Sequence, residues 1–313
     1  MTEPQGLTFT ADKQLQNNPL FIHAACDLCG SPSHGLLFDK EGFRHVRCLD
    51  CGMVFVNPRL AGHGQLQRSE GTGTMGDDHL TTAQIRRLRR EVESMEPYRK
   101  HNRMLEIGAG RGWFLEQASK QGWQTCALEI NETALSHLRS RGIDRIVVEP
   151  AESFHVDAGV MDVVRMWDVI EHLESPRKAL ERIRQALRPG GLLRLSTTNF
   201  ASLSCWINGP EWVYLNGADH IHLFEPETIT RVLLQGGFSS IHVSTRSFNL
   251  RRKLYHPEKD LPPKYPLIRL FRKLIDETIR FTPYGHQMIV TAVKAGASGC
   301  RLTTDKVIDG GRS

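Results

Sequence analysis

Residues Met104 to Leu115 read Met-Leu-Glu-Ile-Gly-Ala-Gly-Arg-Gly-Trp-Phe-Leu, and no other stretch constrains the fold as much. An apolar strand ends at Glu106, three alternating glycines follow at Gly108, Gly110 and Gly112, and a helix begins at once. Without side chains the backbone can turn sharply, press against a ligand and leave N–H groups free at the helix start. The spacing is Glu-x-Gly-x-Gly-x-Gly. A dinucleotide fingerprint would read Gly-x-Gly-x-x-Gly, and a phosphate loop would end in Gly-Lys-Ser/Thr. Neither fits, because Trp113 and Phe114 follow the last glycine. The turn therefore points to an adenosyl ligand held without phosphates.

The downstream segments continue the pattern. Gln124 to Glu129 reads as a second strand with a carboxylate at its tip, placed to accept hydrogen bonds from both ribose hydroxyls. Arg145 to Val148 is a short third strand, followed by Pro150-Ala151-Glu152-Ser153-Phe154. Asp162 to Trp167 is a fourth strand that leads into Asp168-Val169-Ile170-Glu171-His172-Leu173. Leu187-Arg188-Pro189-Gly190-Gly191 then opens a fifth strand running through Leu195. Strands alternating with helical stretches imply βαβ units and a parallel sheet.

These motifs, in this order, resemble those of class I S-adenosylmethionine-dependent methyltransferases. The resemblance implies an α/β fold with a Rossmann-like seven-stranded sheet, mostly parallel with the last strand antiparallel. It implies S-adenosyl-L-methionine as cofactor, with Glu106, Gly108, Gly110, Gly112, Glu129 and Asp168 around it. Ala151 and Glu152 would flank the adenine ring.

Cysteine usage predicts a second feature. Cys26-x2-Cys29 and Cys48-x2-Cys51 are each followed by glycine, Gly30 and Gly52. Two such turns present four convergent thiolates, a tetrahedral Zn²⁺ site with no open position and hence a structural role. Such a metal folds a segment too short for a core of its own. His34 and His45 lie between the pairs and are read as bystanders, and Cys126 as a small core residue of the second strand.

The expected organisation follows. Residues 1–20 are a disordered N-terminus, 21–58 a small zinc ribbon, and 59–100 a glycine-rich connector with a helix from Thr81 to Met95. Residues 101–294 form the methyltransferase domain and 295–313 a flexible tail. The domain includes an acceptor loop at 197–225 and an amphipathic helix at 266–281. That helix carries Leu267, Ile268, Phe271, Leu274, Ile275 and Ile279 on one face, and is expected to pack as a lid or a homodimer contact. No run of 18 apolar residues and no N-terminal hydrophobic segment is present, so a cytoplasmic protein without a membrane span is expected. With 40% apolar and 24% charged residues the composition is that of an ordinary globular chain, and a net charge of +5 is too small to argue for nucleic acid.

Methyl transfer from a sulfonium needs alignment and a dry site, and a hydroxyl or acidic-carbon acceptor also needs a base. The candidates are His172, just past the fourth strand, and His220 in Asp219-His220-Ile221-His222-Leu223-Phe224-Glu225-Pro226. Trp206, Trp212 and Tyr214 either wall the acceptor pocket or belong to the core. The combination of four-cysteine module and cofactor domain resembles bacterial methyltransferases of small metabolites, among them nucleotide-sugar C-methyltransferases and quinone-pathway O-methyltransferases. A small-molecule C-, O- or N-methyltransferase is the leading reading. An RNA methyltransferase using the ribbon and the run Arg86-Arg87-x-Arg89-Arg90 is an alternative, and so is a zinc-ribbon interaction protein with an inactive cofactor domain. Against RNA stands the lack of an Asn/Asp-Pro-Pro-Tyr/Phe motif and of a cysteine in a Pro-Cys context.

Overall fold

The computed structural model describes residues 21–62, 79–247, 278–279 and 281–296. The N-terminal stretch holds β1 (Phe21–Ile22), β2 (His34–Lys40), β3 (Phe43–Cys48), β4 (Val54–Val56) and β5 (Arg59–Leu60). β2 and β3 form a hairpin whose turn residues, Glu41 and Gly42, have φ of 55° and 81°. Positive φ at both central positions matches the right-handed twist of the paired strands. β1 pairs with β5, which closes the module on itself.

Next comes α1 (Thr82–Glu93), started by a capping box: Gln84 N donates to Thr81 Oγ1, and Thr81 N donates to Gln84 Oε1 at 2.7 Å. Leu88 and Val92 are buried, whereas Arg86, Arg87, Arg89 and Arg90 are exposed. The arginine run is thus the solvated face of an amphipathic helix.

The main domain then runs β6 (Arg103–Ile107), α2 (Trp113–Lys120), β7 (Gln124–Leu128), α3 (Glu132–Ser140), β8 (Arg145–Val147), β9 (Met161–Trp167), α4 (Pro176–Ala186) and β10 (Leu187–Thr198). After it come α5 (Leu203–Asn208), β11 (His222–Leu223), α6 (Pro226–Gln235), β12 (Phe238–Arg246) and β13 (Gln287–Lys294). Seven strands form one sheet in the order β12-β13-β10-β9-β6-β7-β8. β13 alone runs antiparallel to its neighbours, as the sequence predicts. From β6 the chain steps outward through β7 and β8, then crosses to β9 on the other side of β6. The order therefore reverses between β6 and β9, where ligands of open α/β sheets bind. Leu105, Ile107, Val163, Val164 and Met166 are buried at 1% exposure or less, and each such side chain contributes roughly 1.5–3 kcal/mol of burial.

One boundary differs from expectation. The four-stranded sheet of the cysteine module runs β11-β4-β3-β2, so its outer strand comes from the acceptor loop of the main domain. A domain limit at residue 58 does not describe this arrangement, because β4 has an unpaired edge that His222 and Leu223 fill. The expected helix at 266–281, apart from residues 278, 279 and 281, lies outside the described residues. So do segment 1–20, residues 63–78 of the connector and nearly all of the tail. Among the described residues no helix is long and apolar enough to cross a membrane.

Candidate functional site

A cleft of about 1140 Å³ opens at the carboxyl ends of β6, β7 and β9. Gly108, Gly110, Glu129, Ala151, Glu152, Asp168, Glu171, His172, Tyr214, Asp219 and His220 all line it. The glycine turn has three distinct parts. Gly108 has φ +66° and lies so close to Val169 that an added Cβ would come within 2.4 Å of Cγ2. Gly110 has φ +53° and nothing within 4 Å of where a Cβ would stand, so its backbone faces open cleft. Gly112 starts α2, and a Cβ there would meet Leu138 Cδ2 at 2.7 Å, on the helix side rather than in the cleft.

Glu129 anchors the turn. Its Oε2 accepts from Gly110 N at 2.7 Å, and its Oε1 accepts from Ile130 N at 2.8 Å and Asn131 N at 2.9 Å. A carboxylate has about four lone-pair sites, so three backbone bonds hold its orientation and leave capacity for a ligand hydroxyl. An open Gly110 and an oriented Glu129 on one wall fit an adenosyl group. Glu106 lies behind that wall, 3% exposed and bonded to Arg165 Nη1. Burial pushes its carboxyl up to about 7 despite the arginine. On the opposite wall Glu152 Oε1 accepts from Glu174 N at 3.0 Å. Asp168 has φ +51°, an unusual conformation for a non-glycine residue and one found in functional turns. Ser196 Oγ and Gln287 Nε2 donate to its carboxylate.

The far end of the cleft assembles two segments. The turn Ile170–His172 brings in Glu171 and His172, and the acceptor loop brings in Tyr214, Asp219 and His220. His172 Nδ1 faces two acceptors, Asp219 Oδ1 at 2.9 Å and the Asp219 carbonyl at 3.0 Å. That environment places the proton on Nδ1 and leaves Nε2 to accept one. Burial lowers the His172 pKa, but the Asp219 hydrogen bond and the charges of Glu171 and Asp219 outweigh it and raise it to about 9. The His220 ring meets His172 edge-on at 4.7 Å and stacks on Tyr214 at 6.0 Å. Tyr214 also stacks on His286, 5.8 Å away. Glu171 is fully buried, and burial raises it to about 7 against the pull of His172. One of its oxygens and one ring nitrogen each of His172 and His220 lie within 4.8 Å of one another. Tied to Asp219 through Nδ1, His172 can pass a proton within this cluster.

His222 lies in β11, buried and outside the cleft lining. Trp212 is core at 2% exposure, Trp206 is 80% exposed, and of the three loop aromatics only Tyr214 reaches the cleft. Sequence reasoning assigned no role to Asp219, although it immediately precedes His220; only its spatial pairing with His172 marks it. His286 and Gln287 were missed too, since β13 enters the cleft wall from far along the chain.

The four cysteines form the other centre. Cys26 and Cys51 sulfurs are 3.4 Å apart, Cys29 and Cys48 3.5 Å, and all four fall within 4.8 Å of one another. A disulfide would need about 2.05 Å. Four sulfurs at roughly 2.3 Å from one zinc ion would stand about 3.8 Å apart, so the donor set fits. His34 and His45 are not part of it: His45 stacks on Phe38 at 4.5 Å, and burial lowers it to about 4. Cys126 is buried within β7.

A nucleoside turn, an oriented acid and a reversal in strand order define a cofactor-binding α/β transferase. Residues 80–243, over half of the chain, match the family described as Methyltransferase domain. The chain belongs to this family of S-adenosylmethionine-dependent methyltransferases. A ubiquinone biosynthesis O-methyltransferase of Aromatoleum aromaticum is 25% identical over 175 residues, 52% of this chain and 75% of that one. Its namesake in Caulobacter vibrioides is 33% identical over 103 residues, 31% of this chain and 40% of that one. A probable S-adenosylmethionine-dependent methyltransferase of Mycobacterium tuberculosis is 28% identical over 173 residues, 55% and 61% of the two chains. The chain thus spans between 40% and 75% of these relatives. In fold it is similar to the phosphoethanolamine N-methyltransferase 2 of Haemonchus contortus solved with S-adenosyl-L-methionine. The TM-score is 0.51 at 18% identity, over 77% of this chain and 63% of that one.

Proposed function

We propose that this protein methylates a hydroxyl group of a small molecule, with the Asp219–His172 pair removing the acceptor proton. The observation that carries the reading is the 2.9 Å contact between His172 Nδ1 and Asp219 at the far end of the cleft that holds Gly110 and Glu129. When bound, S-adenosyl-L-methionine supplies an electrophilic methyl group. Gly108, Gly110, Glu129 and Asp168 would hold it, with Ala151 and Glu152 beside the adenine. Asp219 orients the imidazole; in its neutral form, whose share grows as pH rises toward about 9, Nε2 takes the proton from the acceptor oxygen, and the Asp219 carboxylate stabilises the imidazolium. His220 and Tyr214 form the adjoining wall and confine the acceptor. The O-methyltransferase names of two relatives support a hydroxyl acceptor, while the exposed arginines of α1 are ordinary solvated residues and give RNA no footing.

The four-cysteine cluster is read as a structural zinc site. Cys26→Ser should then lower the bound zinc, and a full chain that carries no metal yet melts normally would contradict the reading. Acceptor chemistry is tested by incubating the protein with methyl-labelled cofactor and a panel of phenols, catechols, amines and enols. Label entering only amines or carbon would overturn the hydroxyl reading. Dimerisation through 266–281 remains a proposal, tested by sedimentation of the full chain and a variant with Leu267 and Phe271 changed to serine.

A further inference from the structure

The two halves of the His172–Asp219 pair lie 47 residues apart, yet the cysteine module grips both. On the His172 side, Asp27 sits inside the Cys26-x-x-Cys29 knuckle. Ser175 Oγ donates to its Oδ1 at 2.6 Å and Arg177 N to its Oδ2 at 2.8 Å, so the knuckle caps α4 three residues beyond His172. Arg59 Nη1 donates to the Glu174 carbonyl at 3.0 Å.

On the Asp219 side, β11 is the fourth strand of the module's sheet, with His222 opposite Phe55 and Leu223 opposite Val54. Val56 N donates to Ile221 O at 2.9 Å. Arg47 bridges the Gly52 carbonyl, one residue past Cys51, at 2.9 Å and the Glu225 carboxylate at 2.8 Å. Arg231 Nη1 reaches the Cys51 carbonyl at 2.8 Å. Gly217 is pressed so tightly on the β2–β3 hairpin that a Cβ there would come within 2.3 Å of Phe43. By contrast, the bonds that hold the glycine turn and Glu129 come from β7, β8 and the end of α3, where Arg141 Nε donates to the Arg111 carbonyl at 2.6 Å, and none comes from the module.

We infer that the four-cysteine module is a brace for the acceptor end of the cleft: with zinc bound it holds the Ile170–His172 turn and residues 219–223 in register, and without zinc that register is lost while the donor end stays formed. The inference rests on the zinc reading given above. The module's Leu28, Val46, Met53 and Phe55 pack into the main core, but its two knuckles are turns too short to hold themselves, so their order, and the register of the edge β11 pairs with, follows the metal. Positioning is the claimed role, since no module residue other than Arg59 and Gly62 lines the cleft.

The experiment uses the full chain as purified, its zinc content measured first, then stripped by a chelator and reloaded with zinc. Backbone amide exchange is followed at 219–224 and at 104–112, together with calorimetric binding of S-adenosyl-L-methionine and NMR titration of the histidine rings. In the stripped protein, exchange at 219–224 should accelerate at least tenfold and return on reloading. At 104–112 exchange should stay within twofold and cofactor affinity within threefold, while the His172 titration moves down from about 9. Arg47→Ala, which leaves all four cysteines in place, should retain zinc and accelerate exchange at 219–224 by a smaller factor. Loaded and stripped proteins with equal exchange at 219–224 would overturn the brace and leave the zinc reading standing. Equal loss at both segments would also overturn it, showing a metal that stabilises the whole chain. A purified chain holding no zinc would sink both.

Discussion

The donor and acceptor ends of one cleft are built by opposite means. At the donor end, a turn of seven residues and one acid nineteen positions after Gly110 make the site, and the bonds that clasp the two come from neighbouring βαβ units. At the acceptor end, the contributing groups come from a short turn, a long loop and the start of β13, and the loop is itself paired with the four-cysteine segment. The difference teaches that one methyl donor can be served by a fixed piece of backbone geometry, whereas an acceptor site is assembled from whatever the tertiary fold brings to the strand ends.

The sharpest way to break that comparison is to remove chemistry from one end and read both. His172→Gln should lower turnover by about 10²–10⁴ while leaving cofactor affinity unchanged, because a general base contributes rate and not donor binding. A variant that keeps wild-type turnover would eliminate His172 as the base. At the donor end Glu129→Ala should weaken cofactor binding at least about tenfold by calorimetry, since a carboxylate to the ribose hydroxyls and the clasp on Gly110 are lost together. Unchanged affinity would refute the ribose role.

Gly108→Ala sharpens the comparison by testing backbone rather than side chain. The methyl group would enter Val169 at 2.4 Å on a residue with φ +66°, and a stability loss of about 2–3 kcal/mol in urea is expected. Gly110→Ala meets the same φ penalty but no clash, so it should cost less stability and more cofactor affinity; the reverse ranking would mean that the wrong glycine has been placed at the cleft.

The smallest effect concerns pH. The folded pKa of His172 is raised from 6.5 to about 9. Its contribution is therefore complete below pH 6.5 and fades as pH rises through about 9. Glu106 and Glu171, raised to about 7, act in the same direction over the lower part of that range. The zinc-loaded protein should lose stability steadily between pH 6 and pH 9.5, and His172→Gln should flatten that slope. Equal slopes for the two would mean that Asp219 does not hold a charged imidazole.

How legible the molecule was in its sequence follows the same division. The alternation at Gly108, Gly110 and Gly112, the acid at Glu129 and the strand-helix rhythm through β10 predicted βαβ units and a parallel sheet, and the resemblance they carry implied its seven strands and the one antiparallel strand. The spacing of the Cys26–Cys29 and Cys48–Cys51 pairs predicted four sulfurs within bonding reach of one ion. Asp219 was not legible as a partner of His172, because hydrogen bonding across 47 residues leaves no periodic or local trace. Nor was the recruitment of β11 from the acceptor loop into the module's sheet, since a two-residue strand has no pattern of its own and exists only where an open edge receives it. The sequence by itself determined the donor turn and the thiolate knuckles, because both are short-range geometry that glycine, carboxylate and cysteine impose wherever they occur at that spacing. Only the tertiary structure decided which histidine meets an aspartate and what holds them there, because those contacts depend on the packing of segments that the chain keeps far apart.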